Sequence, residues 1–117
     1  MVLAFTGIGC GPCLAAVPVL ESLPDRFAPG DCEVVSIECW GHRAHSLRVY
    51  AERNGITHPF LMGTEDVVND YLGGRRGVPV FFVLDGQRVV RHVFMGFDPE
   101  EGGESIYSAV RDVLAGS

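Results

Sequence analysis

Lysine, long apolar runs and basic clusters are all missing from this sequence. All nine basic residues are arginine, and with fifteen acidic residues they leave a formal net charge of −6. The longest basic run is the pair Arg75-Arg76, which is no basic surface of the kind that binds nucleic acid. No stretch approaches the roughly 20 apolar residues of a membrane-spanning helix. Met1 runs into an apolar segment without the basic leader of a signal peptide. We therefore expect no nucleic-acid partner and no membrane segment in this chain.

Cysteine is also sparse, with four among 117 residues, which is too few for a small domain held together by disulfides. The hydrophobic fraction of 47% is enough for a core. The length suits one domain rather than two. We expect residues 1–117 to form a single domain and the protein to be a monomer.

Two of the four cysteines lie in the segment Cys10-Gly11-Pro12-Cys13. The apolar residues 2–5 before it predict a buried strand, and residues 12–23 after it predict a helix. Cys10 then lies near the helix N-terminus, where unpaired N–H groups and the helix dipole favour a negative charge. A thiolate is such a charge, and it is the attacking species in disulfide exchange. We therefore predict that Cys10 attacks and that Cys13, one turn further in, resolves.

A metal site is the main alternative for these cysteines. A Cys-x-x-Cys pair is half of a common zinc site, which needs two more ligands at suitable spacing. Cys32 and Cys39 are not spaced as a second such pair, and Pro12 fits a redox turn better than a zinc knuckle. The run Cys39-x-x-His42-x-x-His45 resembles metal-ligand spacing, but Cys39 precedes the helix that carries the histidines. We expect no metal and no cofactor, with a metal-binding pair or an inert pair as the alternatives.

The rest of the pattern predicts an α/β fold with the order β-α-β-α-α-β-β-α. Asp85-Gly86 favours a hairpin between the last two strands, and residues 57–62 read as an extended connection. Leu14, Val17 and Leu20 are spaced for one buried face of the first helix. The order implies a mixed sheet of four strands covered by helices. The predicted strands are 2–5, 33–38, 80–84 and 87–94, and the predicted helices are 12–23, 41–54, 64–72 and 99–114.

Taken together, these motifs resemble the thioredoxin fold and, within it, the TlpA-like thiol:disulfide interchange (redoxin-related) family. The segment 10–13 matches the thioredoxin active-site sequence, and Pro18 matches the proline that kinks the active-site helix. Gly77-Val78-Pro79 matches the cis-proline loop, and residues 50–60 look like a TlpA-type segment. The resemblance covers nearly the whole chain from Val2 onward. It implies a thioredoxin-like fold with a central mixed four-stranded sheet, lacking the usual N-terminal strand.

The resemblance also implies a function. It predicts a thiol:disulfide oxidoreductase, a reductase of protein disulfides whose partners are protein thiols and disulfides. A disulfide oxidant or isomerase on the same fold, and a metal-binding or redox-silent interaction module, are the alternatives. The bacterial periplasm or extracytoplasmic side is the implied location, with the cytoplasm as the alternative because no anchor is seen. The implied site residues are catalytic Cys10 and Cys13 and substrate-binding Gly11, Pro12, Val78 and Pro79, with the backbone of Val78 pairing with the substrate chain.

The sequence departs from the family pattern beside the cysteines. Gly9 stands where these families place tryptophan, Ala4 where thioredoxin has a buried aspartate, and Ala16 where TlpA-like proteins often have a glutamate. Glu38, at the end of the second strand, is a candidate replacement for the proton relay, with an ordinary strand-end carboxylate as the alternative. Trp40 is a candidate for the missing aromatic at the rim of the site, with core packing as the alternative.

Overall fold

The computed structural model describes residues 1–116, which form a mixed sheet of five strands and four α-helices. A short 3₁₀ helix, Leu23–Arg26, follows the first helix. Within these residues no helix is long and apolar enough to cross a lipid bilayer. The strands are β1 (Val2–Thr6), β2 (Val34–Glu38), β3 (Phe60–Met62), β4 (Val80–Leu84) and β5 (Val90–Met95), and the helices are α1 (Gly11–Ser22), α2 (Ala44–Arg53), α3 (Glu65–Leu72) and α4 (Glu104–Ala115).

The strand order is β3-β2-β1-β4-β5, which places β1 at the centre. β1 runs parallel to β2 and antiparallel to β4, with Thr6 opposite Glu38 in register. All five residues of β1 are buried, as expected for a strand covered on both faces. Because β1 and β2 are parallel, the loops that follow them emerge at the same end of the sheet. The cysteine segment and Glu38 therefore lie at one edge of the fold.

Alternating side chains of β1 divide between two cores, one on each face of the sheet. Val2 and Ala4 pack with α1 and α4, in a cluster that includes Leu20 and Val110. On the other face, Leu3 and Phe5 pack with Val68 and Leu72 of α3 and with the even-numbered residues of β4.

The prediction of a four-stranded sheet is corrected by β3. Residues 57–62, predicted as an extended connection, supply the fifth strand, with Ser36, Ile37 and Glu38 of β2 paired to Phe60–Met62. Unpaired backbone groups along β2 favour such a pairing. Leu61 and Met62 are about half exposed, so the short edge strand shows no alternating pattern in the sequence.

Leu14 is a second correction, because it was predicted to face the core and is 42% exposed. The buried stripe of α1 runs through Cys13, Ala16, Val17 and Leu20. Each residue turns an α-helix by about 100°, so a stripe that starts at Cys13 leaves Leu14 outside it. The small side chains of Cys13 and Ala16 take the inward positions that the apolar pattern assigned to Leu14.

The hairpin at Asp85-Gly86 forms, but β5 begins at Val90 rather than at Gln87. The side-chain carboxylate of Asp85 accepts hydrogen bonds from the backbone N–H groups of Gln87 (2.8 Å) and Val89 (3.1 Å). These bonds hold the residues after the turn in a loop and delay the start of the strand.

Candidate functional site

Cys10 and Cys13 form a disulfide, with their Cα atoms 5.3 Å apart. Cys10 is the N-cap of α1, and its Sγ accepts a hydrogen bond from the backbone N–H of Cys13 at 3.2 Å. This N–H and the positive end of the helix dipole lie where a negative charge on Cys10 would be stabilised after reduction. Cys13 is 4% exposed and Cys10 is 8% exposed. The geometry therefore suits Cys10 as the attacking thiolate and Cys13 as its shielded partner.

A tight turn delivers Cys10 from β1 to the helix. The backbone N–H of Cys10 donates to the carbonyl of Gly7 at 3.1 Å, and Gly9 has a φ of 98°. This left-handed conformation favours glycine over any residue with a side chain. Pro12 lies in the first turn of α1, where no hydrogen-bond donor is needed. Gly11 and Pro12 are both exposed beside the disulfide.

The loop before β4 faces the disulfide from across the sheet edge. Its Val78–Pro79 peptide bond is cis, and the carbonyl oxygen of Val78 lies 3.8 Å from the Sγ of Cys10. Val78 is half-buried and Pro79 is buried. The structure thus brings together the two cysteines, Gly11-Pro12 and Val78-Pro79, which are separated by more than sixty positions in the sequence.

Glu38 is a buried carboxylate that holds two of the loops at this edge. It is 1% exposed and accepts hydrogen bonds from the N–H of Ile8 (2.8 Å), the N–H of Trp40 (2.9 Å), the N–H of His42 (3.1 Å) and the His42 Nδ1 (2.8 Å). Burial alone would raise the pKa of Glu38, but these hydrogen bonds outweigh it and hold the pKa below its ordinary value. Glu38 is therefore an ionised anchor for the segment that precedes Cys10.

The role of Glu38 as a proton relay stays a prediction. Within residues 1–116, its hydrogen bonds go to Ile8, Trp40 and His42, and none joins it to Cys10 or Cys13. No sequence pattern predicts the contact with Ile8, which lies 30 positions away.

Trp40 lies at the rim of the site and is 43% exposed, so the core-packing alternative does not hold. Its ring covers Gly7 so closely that a Cβ there would meet Trp40 Cδ2 at 2.3 Å. Its Nε1 donates to the carbonyl of Arg76 at 2.9 Å, directly before the Gly77-Val78-Pro79 loop. Trp40 thus joins the turn before Cys10 to the loop that carries Val78.

Cys32 and Cys39 are free and buried, and desolvation by burial raises the pKa of both thiols. The Cys39 Sγ donates to the carbonyl of Thr6 at 3.4 Å. His42, which shares the Cys39-x-x-His42-x-x-His45 spacing, is instead hydrogen-bonded to Glu38. Among residues 1–116, no group of three or more His, Cys, Asp or Glu side chains is placed to hold a metal ion.

Solved structures of thiol:disulfide interchange proteins share this architecture. A thioredoxin-family interchange protein from Chlorobium tepidum TLS is similar over 97% of this chain and 78% of its own, with a TM-score of 0.79 and 24% identity. StoA from Bacillus subtilis is similar over 88% and 78% of the two chains, with a TM-score of 0.70 and 18% identity. A secreted thiol-disulfide isomerase from Corynebacterium glutamicum covers 94% and 70%, with a TM-score of 0.71 and 21% identity.

No protein-family model and no curated protein sequence matches the chain. The similarity to the solved structures confirms the predicted thioredoxin-like α/β fold.

Proposed function

We propose that this protein is a thiol:disulfide oxidoreductase that reduces disulfides in other proteins. The observation that carries the proposal is the Cys10–Cys13 disulfide at the N-terminus of α1, opposite the carbonyl of Val78. The names of the similar structures, which include thiol:disulfide interchange proteins and isomerases, support the same class of chemistry.

The reaction uses the two cysteines in sequence. The Cys10 thiolate attacks one sulfur of the substrate disulfide, so a Cys10–substrate bond forms, the substrate S–S bond breaks and the departing thiolate takes up a proton. The Cys13 thiolate then attacks the Cys10 sulfur and releases the second substrate thiol. Two electrons pass to the substrate, which becomes a dithiol, and the enzyme is left with the Cys10–Cys13 disulfide. The reaction needs no metal or organic cofactor.

The substrate chain binds across Gly11-Pro12 and the Val78-Pro79 loop. The backbone N–H and C=O of Val78 pair with an extended substrate segment in the manner of an added strand. Pro79 shapes the groove beside it. The closeness of the Val78 carbonyl to the Cys10 Sγ supports this arrangement, because a segment paired with Val78 would hold its cysteine near the attacking sulfur.

A trapping experiment tests the mechanism. Cys13→Ser removes the resolving thiol, so a mixed disulfide between Cys10 and a substrate cysteine should accumulate on non-reducing gels and disappear with dithiothreitol. Cys10→Ser is the matched control and should trap nothing. Failure of Cys13→Ser to form a mixed disulfide with any protein disulfide would contradict the mechanism.

The reduction potential of the Cys10–Cys13 couple tests the direction. We expect a value near or below about −270 mV, where thioredoxin lies. A value between about −180 and −120 mV would instead mark an oxidant or isomerase. Equilibration against a dithiothreitol or glutathione buffer series, read by alkylation of the free thiols, gives the measurement.

The protein is proposed to act on the extracytoplasmic side of a bacterial membrane. The similarity to a secreted thiol-disulfide isomerase supports this location. Fractionation of the source cells, with antibodies against this chain and marker proteins for each compartment, tests it. Recovery in the cytoplasmic fraction alone would contradict it.

A further inference from the structure

A groove of about 820 Å³ runs from the Val78-Pro79 loop between α3 and β5. Phe82 of β4 lies in it, Tyr71 of α3 lines one side, and Val93 and Met95 of β5 line the other. Val93 is 48% exposed and Met95 is 65% exposed. This apolar surface adjoins the proposed redox site through Val78 and Pro79.

The groove exists because only one face of β5 is covered. Phe94 packs against the core that α1 and α4 cover. The neighbouring residues Val93 and Met95 point to the opposite face, because side chains alternate along a strand. They are opposite Phe82 and Val80 of β4 in register. Since α3 packs over the middle of the sheet, it leaves this side of the edge strand open.

Two arginines stand at the same end of the groove as Val78. Arg75 and Arg76 both line the groove and are exposed. Arg75 Nη1 lies 3.9 Å from the Met95 sulfur, and Arg76 Nη2 donates to the side-chain oxygen of Asn69 at 3.3 Å. No carboxylate in residues 1–116 lies within ion-pair distance of either guanidinium, although Asp70 also lines the groove.

This local charge is opposite to that of the chain as a whole, which carries a formal charge of −6. The net charge of the chain repels an acidic partner, whereas Arg75 and Arg76 attract it locally. A guanidinium also matches the geometry of a carboxylate with two parallel hydrogen bonds. The apolar groove and the two arginines together therefore favour a segment with a carboxylate close to the substrate cysteine and an apolar side chain beyond it.

We propose that the groove and its two arginines select the protein substrate. They take the segment next to the substrate disulfide when it carries an apolar side chain, which fills the groove, and an adjacent carboxylate, which binds Arg75 and Arg76. This rests on the proposed function, because Val78 brings the substrate cysteine to Cys10 and the chain continues from there into the groove.

Two synthetic disulfide peptides test the proposal with the reduced protein. They are identical, with a leucine three positions after the second cysteine, except that Asp-Asp separates the cysteine from the leucine in one peptide and Lys-Lys separates them in the other. We expect the acidic peptide to be reduced at least about tenfold faster at about 0.15 M ionic strength, within the range of electrostatic effects on association. The Debye length of about 8 Å there screens the more distant acidic charges, so the two nearby arginines dominate. Raising the salt to about 1 M shortens the Debye length to about 3 Å and should remove most of that ratio.

Variants identify the charges responsible. The double variant Arg75→Glu with Arg76→Glu should reverse the preference, and Arg75→Gln with Arg76→Gln should abolish it. If the charge reversal disturbs folding, the double glutamine variant still tests whether the two positive charges are responsible for the preference. Arg53→Glu, at the exposed end of α2 and outside the groove, makes a single charge reversal elsewhere on the surface and should keep the preference for the acidic peptide.

The outcomes separate this proposal from the function on which it rests. If the wild type reduces neither peptide nor the neutral reagent 2,2′-dipyridyl disulfide, the groove proposal and the proposed redox function are both overturned. If it reduces both peptides at equal rates, or if the arginine variants keep the preference, the redox function stands and the groove proposal is overturned. Equal peptide rates together with Arg75- and Arg76-dependent binding to phosphatidylglycerol vesicles would assign the groove to a membrane surface and overturn the proposal as well.

Discussion

Two glutamate–histidine clusters anchor loops in this fold, one beside the proposed redox site and one away from it. At the redox edge, Glu38 accepts three backbone N–H groups and the Nδ1 of His42. At the C-terminal end of α1, Glu21 accepts the backbone N–H groups of Thr57 (3.0 Å) and His58 (3.2 Å), the Thr57 hydroxyl and the Nδ1 of His58. Each carboxylate anchors nearby loop residues by accepting hydrogen bonds from backbone N–H groups and by contacting one imidazole nitrogen.

The clusters differ in which member is buried. The Glu38 side chain is fully buried and the His42 side chain is 38% exposed, whereas the His58 side chain is 6% exposed and that of Glu21 is 21% exposed. His58 is also bonded through Nε2 to the hydroxyl of Ser36 at 2.7 Å. At the redox edge the buried group is the charged Glu38 carboxylate. At the other end of α1 it is the His58 ring, both of whose nitrogens are hydrogen-bonded.

The same pattern of hydrogen bonds therefore has a different structural role in each cluster. The Glu21 cluster fixes the connection that leads into β3 and so completes the sheet. The Glu38 cluster fixes the segment before Cys10 and the loop that carries Trp40, which in turn contacts Arg76 beside the Val78-Pro79 loop. Only the Glu38 cluster contacts the segments that surround the cysteines. The same substitution should therefore change the reactivity of Cys10 when made at Glu38 and leave it unchanged when made at Glu21.

Glu38→Gln should have the largest effect of the substitutions that test this difference between the clusters. An amide offers one acceptor oxygen to donors that now share two, and its NH₂ group would face at least one N–H. We expect the free energy of unfolding to fall by about 3 kcal/mol, because hydrogen bonds to a charged acceptor contribute about 1.5–3 kcal/mol each and the amide cannot accept all four. The reaction of Cys10 with 2,2′-dipyridyl disulfide should also slow, because the Ile8 segment loses its anchor. Denaturant titration and stopped-flow absorbance measure the two effects. An unchanged reaction rate in a destabilised protein would limit Glu38 to a structural role.

Glu21→Gln is the matched substitution in the other cluster. Glu21 is partly exposed, so water can replace some of its bonds, and we expect a loss of about 1–3 kcal/mol in the free energy of unfolding. The Cys10 reaction rate should be that of the wild type. A slower reaction in Glu21→Gln, measured in the same way, would mean that the two clusters are coupled through α1.

The pH dependence of the free energy of unfolding should reflect the ionisation of both Glu21 and Glu38. Burial opposes the shift at Glu21 and at Glu38, yet the hydrogen bonds from their loops hold both pKa values below the ordinary value of 4.5. Their stabilisation is therefore complete above pH 4.5 and is lost as the pH falls through the lowered pKa of the folded state. Each group contributes at most about 1.4 kcal/mol per pH unit in that range. Unfolding titrations below pH 4.5 should show a shallower slope in Glu38→Gln and in Glu21→Gln than in the wild type. Equal slopes in all three proteins would contradict the assignment.

Gly7→Ala should have the smallest effect and should act only at the redox edge. The new Cβ would overlap the Trp40 ring, so the ring must move and lose its bond to Arg76, at a cost of about 1 kcal/mol. Trp40 is the single tryptophan of the chain, so its fluorescence reports the displacement directly. Gly86→Ala, where a Cβ meets nothing within 4 Å, is the control. An unaltered Trp40 emission in Gly7→Ala would show that the ring does not depend on this contact.

Local sequence was enough to predict the elements whose signals lie within a few residues. Thr64 caps α3 by accepting a hydrogen bond from the N–H of Val67, and the Cys10-Gly11-Pro12-Cys13 segment falls at the strand-to-helix turn as expected. The prediction failed for β3 and for Leu14. Both depend on what packs beside them, the open edge of β2 in one case and the buried stripe through Cys13 in the other.

The sequence by itself determined the order of the elements other than β3 and the position of the cysteine pair, because helix caps, turns and apolar periodicity act over short separations. Only the tertiary structure decided the surroundings of that pair. Glu38 meets Ile8 across 30 positions, Trp40 meets Arg76 across 36, and Cys10 meets Val78 across 68. Such contacts are set by the strand order and by burial, which force a carboxylate at the end of β2 to find its hydrogen-bond donors in loops from distant parts of the chain.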